Sequence, residues 1–434
     1  MSGTLPRLSR AAPRMHARPP APPRIVHLGA GAFHRTHQAW FTAHAPDAAE
    51  WGIAAFTGRG TTVVDQLAPQ DGLFTLIERG PGGDRFEVVD SIVEVRPASD
   101  RARLIDLLSA PATAVATLTI TEAGYRLRSD GALDITDVDV DHDITALRTG
   151  DLRAVRTPLA GLLAGLATRR GIGGGPLAVV PCDNLPDNGG IVRRVMAELA
   201  DRSGLATALE GVSFVSTSVD RITPHTTPAD IQAVADATGF RDEACVVAEP
   251  FADWTMRGDF PAGRPDWASV GARYVDDIAW YERRKLLLLN GGHLVLAFEG
   301  LRRGHRTVAE AMNDNECRAA LDAFWDEGER TVGGGTETRD YRAALAQRFA
   351  NPRIEHLLRQ IAVDTVTKTR LRILPVIHAE RSEGRPATAA LAVLGAWRTL
   401  LDSGSVTEDP QEVRALLEVV AHATTSADII RYTP

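Results

Sequence analysis

Lysine, cysteine and long apolar runs are all scarce in this 434-residue chain. The longest apolar stretch, 389–394, falls far short of the roughly 18 residues that span a bilayer, which excludes a transmembrane helix. The opening stretch, 1–23, is rich in Pro, Ala and Arg but has no apolar h-region, so it is not a secretory signal and reads as a disordered arm. Three cysteines, Cys182, Cys245 and Cys317, are odd in number, far apart and free of C-x-x-C spacing. They suggest neither a disulfide framework nor a zinc cluster, and a reducing cytoplasm fits best. Lysine occurs at only two positions, Lys285 and Lys368, and the other 46 basic residues are Arg. Arg stays charged near neutral pH, whereas a Lys that is buried or set beside other cations can release its proton. These two are therefore either accidental survivors of compositional drift or functional groups.

The rest of the composition is that of an ordinary globular protein. With 44% apolar and 24% charged residues, a chain of this length buries a large core and is expected to form two domains. The 56 acidic against 48 basic side chains give a net charge of −8, which argues against a nucleic-acid backbone as partner. A small molecule is expected instead, bound by a monomer or a small homo-oligomer.

Periodicity divides the chain. An apolar run at 24–28 meets Gly29-Ala30-Gly31 and then a helical pattern over 33–45. A second strand is expected at 52–56, a hairpin at 73–78 and 86–90, a helix at 101–108, and strands at 114–121, 177–180, 212–215 and 245–248. Strands alternating with helices predict a Rossmann-like, doubly wound parallel sheet. From about residue 277 the pattern is helix after helix, and Pro375 demotes the one strand-like run, 373–377. The expected division is an α/β dinucleotide-binding domain over 24–275 and a mainly α-helical substrate domain over 276–434.

Gly29, Ala30, Gly31, Ala32 and Phe33 begin a G-x-G-x-x-G fingerprint, with His34 standing where the third Gly would be. The strand before and the helix after make this a candidate pyrophosphate site, with backbone N–H groups aimed at the phosphates. In place of the acidic residue usual for NAD ribose, the second strand leads to Thr57-Gly58-Arg59. Arg59 suits a 2′-phosphate, so NADP stays open beside NAD. His34 and His37 have a spacing that metals use, but no third ligand lies near in sequence, and no metal is expected.

The sharpest constellation lies between Lys285 and His293. On a helical wheel of about 100° per residue, Lys285, Asn290 and His293 share one side of an otherwise apolar segment. Gly291 and Gly292 each cost that helix about 1 kcal/mol relative to Ala, a local fault expected where something must approach closely. A Lys of lowered pKa takes a proton from a hydroxyl, an Asn amide donates to the oxygen that becomes a carbonyl, and a His orients. The plainer alternative is a snorkelling Lys, a solvated Asn and a core His. Asn184, just past a strand end, is a candidate second donor or simply turn chemistry.

At these residues the sequence resembles the long-chain mannitol dehydrogenase family, which includes mannitol 2-dehydrogenases and fructuronate reductases. The resemblance runs through Gly29 to Arg35, Thr121-Glu122-Ala123-Gly124-Tyr125, Cys182-Asp183-Asn184-Leu185-Pro186, Val219-Asp220-Arg221-Ile222-Thr223-Pro224, Glu249-Pro250-Phe251 and Lys285 to His293. It implies metal-independent hydride transfer between a nicotinamide and C2 of a hexitol or hexonate. Lys285 then looks like the general base, Asn184 and Asn290 like the pair that polarises the C2 oxygen, and His293 like a substrate-positioning residue. Glu122 and Asp220 match acidic positions of that site. Where the family commonly has Asp-Gly-Ser before a basic residue, this chain reads Asp364-Thr365-Val366-Thr367-Lys368 and continues to Arg372. Lys368 and Arg372 are candidates to hold the far end of the substrate, and a carboxylate there would suit the Arg. Two other readings compete: a different hydroxy-acid dehydrogenase, and a nucleotide-binding regulator without catalysis. A hydrolase has little support, since no G-x-S-x-G elbow occurs.

Overall fold

The computed structural model describes residues 5–12, 15–58, 60–128 and 130–422, which fall into two compact units, Met1–Ile278 and Ala279–Pro434. The first unit is built on a six-stranded parallel sheet. Across the sheet the strands run Ile92–Arg96, Gly52–Phe56, Pro23–Leu28, Val115–Leu118, Leu177–Pro181 and Val212–Phe214. Numbered in chain order this is 3-2-1-4-5-6, the doubly wound dinucleotide-binding arrangement. Alternate residues of each strand enter two separate cores. Val26, Leu28, Ala116, Leu118 and Val179 pack under the helices Arg101–Ser109, Pro158–Gly171 and Asn188–Arg202. Ile25, Val115, Ala178 and Val180 face Phe41, Trp254 and Trp267 on the other side. A sheet covered on both faces requires apolar residues at every position, which is why these strands read as continuous runs.

Several helices of this unit begin at side-chain caps. Thr157 precedes Pro158 and accepts from the Ala160 amide, and Thr227 forms a reciprocal capping box with Asp230 ahead of Pro228–Thr238. The expected hairpin is present as Phe74–Gly80 and Gly83–Val89, extended by the parallel strand Val246–Ala248. Strands Ser216–Asp220 and Asp253–Arg257 pair antiparallel and add a small third sheet.

The stretch read as a disordered arm, 1–23, is packed over its described residues, which corrects that expectation. Leu8 is fully buried with Leu73 and Phe240, Arg10 donates to Asp90 O at 2.7 Å, and Arg18 Nε reaches Asp90 Oδ2 at 3.0 Å. Arginines that find backbone carbonyls and a carboxylate, together with one apolar anchor, hold a Pro-rich segment that has no periodicity of its own.

In the second unit the described elements are helical. Its centre is a continuous helical segment made of Ala279–Arg284, Lys285–Asn290 and Gly291–Arg302, and every residue from Gly291 to Gly300 is buried. A helix buried all round must be wrapped by others. Here Asn315–Val332, Thr388–Asp402 and Val308–Asn313 do this. The run containing Pro375 belongs to the helix Leu374–Ser382, with the Pro in its first turn, where a missing N–H costs nothing.

Candidate active site

The nucleotide turn follows from the end of the first strand. Gly29 has φ +107, and a Cβ there would lie 2.3 Å from Thr119 O, so only Gly fits. The amides of Gly29 and Ala30 donate to Phe56 O, at 2.8 and 2.9 Å, and that of Gly31 to Gly29 O. Arg35 is the first residue whose amide turns back along the helix, to Gly31 O, so the amides of Ala32 and Phe33 belong to the open N-terminal turn of the helical segment 32–44. An added Cβ on Gly31 would meet only Gly29 O, at 3.7 Å, which leaves room beside those donors. The turn thus fits a dinucleotide pyrophosphate at a helix N-terminus. Arg59, the expected ribose partner, lies outside the described residues.

His34, in place of the third Gly, is buried and stacks on His27 with 3.3 Å between ring centroids. His27 is held by Thr117 Oγ1 at 2.8 Å and Thr119 Oγ1 at 3.0 Å, and Thr119 Oγ1 donates to Gly29 O at 2.6 Å. Burial pushes the His27 pKa down to about 3, and His34 is also pushed well below the usual range by burial and by His27. His37 goes elsewhere: its ring lies against Phe33, Phe41 and Trp254, and Nε2 sits 2.9 Å from Asp253 O. The two histidines that share metal-like spacing therefore serve different neighbours.

Residues 35–39 form a π-helical turn, a departure from α geometry that the sequence periodicity does not reveal. Arg221 donates to Thr36 O at 2.6 Å and, through Nε, to Glu249 O at 3.1 Å. Glu249 Oε1 accepts from the Ile222 amide at 2.6 Å. The Val219 to Pro224 and Glu249-Pro250-Phe251 motifs thus dock the nucleotide helix. Asp220 is almost fully buried at the end of Ser216–Asp220, and Glu122 is exposed on the 3-10 turn Glu122–Tyr125. Asn184 is exposed on the loop after Leu177–Pro181, at the carboxyl end of the sheet where doubly wound folds bind ligands. Burial pushes the neighbouring Cys182 thiol up, so it is no nucleophile.

In the helical unit, Lys285 opens a second π turn, Lys285–Asn290, so the uniform 100° wheel does not hold here. Hydrogen bonding from i to i+5 winds the chain less per residue and brings Asn290 and His293 round toward the side of Lys285. The two glycines behind Asn290 have a packing reason. A Cβ on Gly291 would lie 2.9 Å from Phe324, and one on Gly292 2.9 Å from Trp325 Nε1. That indole donates to Leu288 O at 2.9 Å, inside the π turn. The close approach expected at the Gly pair is thus that of the helix Asn315–Val332.

His293 is buried, stacked on Phe349 at 4.3 Å and edge-on to His356 at 4.7 Å. Burial, and the cations Arg348 and Arg372, push it well below its usual pKa, so it is neutral. Arg372 donates to Asn290 O at 3.4 Å, and burial lowers its pKa to about 10. Lys368, half-buried, donates to Ile361 O at 3.0 Å, and its pKa is lowered by burial and by Arg372. Thr365, which stands where the family commonly has Gly, accepts from Trp397 Nε1 at 2.8 Å and donates to Glu408. A separate trio, His305, Asp314 and Cys317, has ligand atoms within 4.8 Å of one another. Its carboxylate caps the helix Asn315–Val332, and the Arg303 guanidinium lies 3.8 Å away, so it reads as a helix cap.

Sequence reasoning missed Tyr125, Asp183, Asn188, Arg221 and Trp325 as supports of the site. Tyr125, Asp183 and Arg221 were signalled only by their places in the quoted motifs, Asn188 and Trp325 by nothing, and each has a partner well away along the chain.

Comparison with known proteins agrees with this architecture. Residues 23–269 match the mannitol dehydrogenase Rossmann domain and 277–419 the mannitol dehydrogenase C-terminal domain. The D-mannonate oxidoreductase of Escherichia coli K12 is 32% identical over 391 residues, covering 87% of this chain and 77% of that protein. The D-arabinitol 4-dehydrogenase of Ralstonia nicotianae is 35% identical over 389 residues, covering 86% and 82%. Among solved structures, the Pseudomonas fluorescens mannitol 2-dehydrogenase in ternary complex with NAD and D-mannitol superposes with a TM-score of 0.77 at 32% identity, covering 95% of this chain and 86% of that one.

Proposed function

The chain belongs to the mannitol dehydrogenase family, and on that premise we propose that it is an NAD-dependent oxidoreductase interconverting a secondary alcohol and a ketone on a polyol or sugar acid. The turn from Gly29 to Phe33 would hold the pyrophosphate. NAD supplies the hydride acceptor, or in reverse the donor, and the proton is left to the side chains.

In the helical unit Lys285 takes that proton from the substrate hydroxyl during oxidation and returns it during reduction. The Asn290 amide donates to the oxygen that becomes the carbonyl, and neutral His293 orients the substrate. In the α/β unit Asn184 is the second amide donor, while Glu122 and Asp220 bind substrate hydroxyls. Lys368 and Arg372 take the far end. No metal ion is given a role, because a base and two amides already serve the oxygen. The observation that carries this reading is the run from Lys285 to His293. There the scarcest side chain of the protein opens a π turn that ends in an Asn, and such turns recur at functional sites. Arg372 favours a six-carbon sugar acid reacting at C2, since its partly desolvated guanidinium next to Asn290 O suits a carboxylate better than a hydroxyl.

The test is oxidation of NADH and NADPH by the purified protein with D-fructose and, separately, D-fructuronate. Turnover of D-fructuronate is expected, with Lys285→Ala abolishing it while dinucleotide binding persists. Turnover of D-fructose alone would assign a hexitol, and binding without turnover of either would favour the regulator.

A further inference from the structure

The loop between Leu177–Pro181 and Asn188–Arg202 carries Asn184 exposed at its middle and is tied down on both sides of it. Ahead of Asn184, the Asp183 carboxylate accepts from the Tyr125 hydroxyl and, through Oδ1, from the Leu185 amide at 2.8 Å. Beyond it, the fully buried Asn188 carboxamide donates to Thr217 O at 3.1 Å and to Pro181 O at 3.3 Å, and its oxygen accepts from the Thr217 amide at 2.8 Å. Ser216 Oγ donates to Asp187 Oδ1 at 3.0 Å.

A loop of Asn, Pro, Asp and Gly closes by turn chemistry alone. Setting a tyrosine and an aspartate together beneath it desolvates two polar groups, a cost repaid only by their mutual hydrogen bond. Burial pushes both groups up, so the hydroxyl keeps its proton and donates. Tyr125 also ends the 3-10 turn that begins with Glu122. One partly buried contact therefore joins the segment carrying Glu122 to the segment carrying Asn184.

We infer that Tyr125 and Asp183 are positioning residues, whose contact holds Asn184 in place as an amide donor and keeps the Glu122 turn in register with it. This rests on the role given to Asn184 above. Displacing a donor by about 1 Å costs up to roughly a hundredfold in rate, which sets the expected effect.

The test is a kinetic double-mutant cycle on the full-length enzyme with Tyr125→Phe, Asn184→Ala and the pair. Tyr125→Phe is expected to lower kcat about ten- to a hundredfold, with KM for NADH within about twofold of the parent. In the Asn184→Ala background the same change is expected to alter kcat by less than about twofold, because the donor to be positioned is gone, and what is left, the register of the Glu122 turn, is read in KM for the sugar. Asp183→Asn keeps the contact, with Nδ2 donating to Tyr125 Oη, and is expected to stay within about threefold of the parent, whereas Asp183→Ala is not. If Tyr125→Phe fails to fold, the two Asp183 variants carry the cycle in its place. An equal loss in both backgrounds would overturn the inference while leaving the role of Asn184 intact. An unchanged kcat in Asn184→Ala would remove that role, and the inference with it.

Discussion

Three buried histidines, His27, His34 and His293, and the partly buried His356 are kept neutral by desolvation, with His27 pushed down to about 3 and His356 to about 4. In the unfolded chain each takes up a proton below about pH 6.5. The folded protein binds fewer protons there, so stability falls as the pH drops through 6.5 and keeps falling toward 3, by about 1.4 kcal/mol per pH unit for each such His. The denaturant midpoint is therefore expected to decline from pH 6.5 toward about 5, above the range where carboxylates titrate. His27→Gln should flatten that slope by about one His. A midpoint constant over this window would show that the folded protein accommodates the protonated rings.

At the scale of elements, the π turn Lys285–Asn290 and the glycines behind it form one device. On helix propensity alone, Gly292→Ala would stabilise by about 1 kcal/mol. The added methyl, however, would meet Trp325 Nε1 at 2.9 Å and Leu321 at 3.1 Å and would displace the indole from Leu288 O. Overpacking of this kind costs about 1–3 kcal/mol, so the net sign is destabilising. A lower thermal midpoint and a shifted Trp emission are expected, and a raised midpoint would mean that the helix Asn315–Val332 yields freely.

The same elements show what the sequence makes legible. The first strand, the glycine turn and the helix after it stand out because an apolar run, a Gly and a helical period follow one another without interruption. The two π turns do not, since a wheel of constant angle has no signal for i to i+5 bonding. Ser216–Asp220 is missed because its mostly polar residues mark no face, and Asp253–Arg257 because its alternation, Trp254 and Met256 set between polar residues, lasts only five positions. The link from Tyr125 to Asp183 spans 58 positions, and no local pattern reports a contact of that separation. Lys285, Asn290 and Asn184 are proposed from residue type and motif, whereas the residues packed around them needed the fold.

At the scale of the whole molecule, the near absence of lysine becomes an experimental handle. Besides the α-amino group, the chain presents only Lys285 and Lys368 to an amine-selective acylating reagent, against 46 arginines, most of which trypsin can still cut. The two lysines therefore fall on different peptides, and each one's modification can be followed by mass alongside residual activity. Lys368 is half-buried with Nζ bound to Ile361 O, so restricted access should slow its reaction although burial lowers its pKa. A base that gives up its proton near the working pH should be acylated faster than an ordinary lysine, because the free amine is the nucleophile. Inactivation is therefore expected to track the Lys285 peptide in a single phase, and bound NADH with substrate should protect that peptide more than the Lys368 one. Activity that survives full acylation of Lys285 would take this residue out of the proton path and return its scarcity to compositional drift.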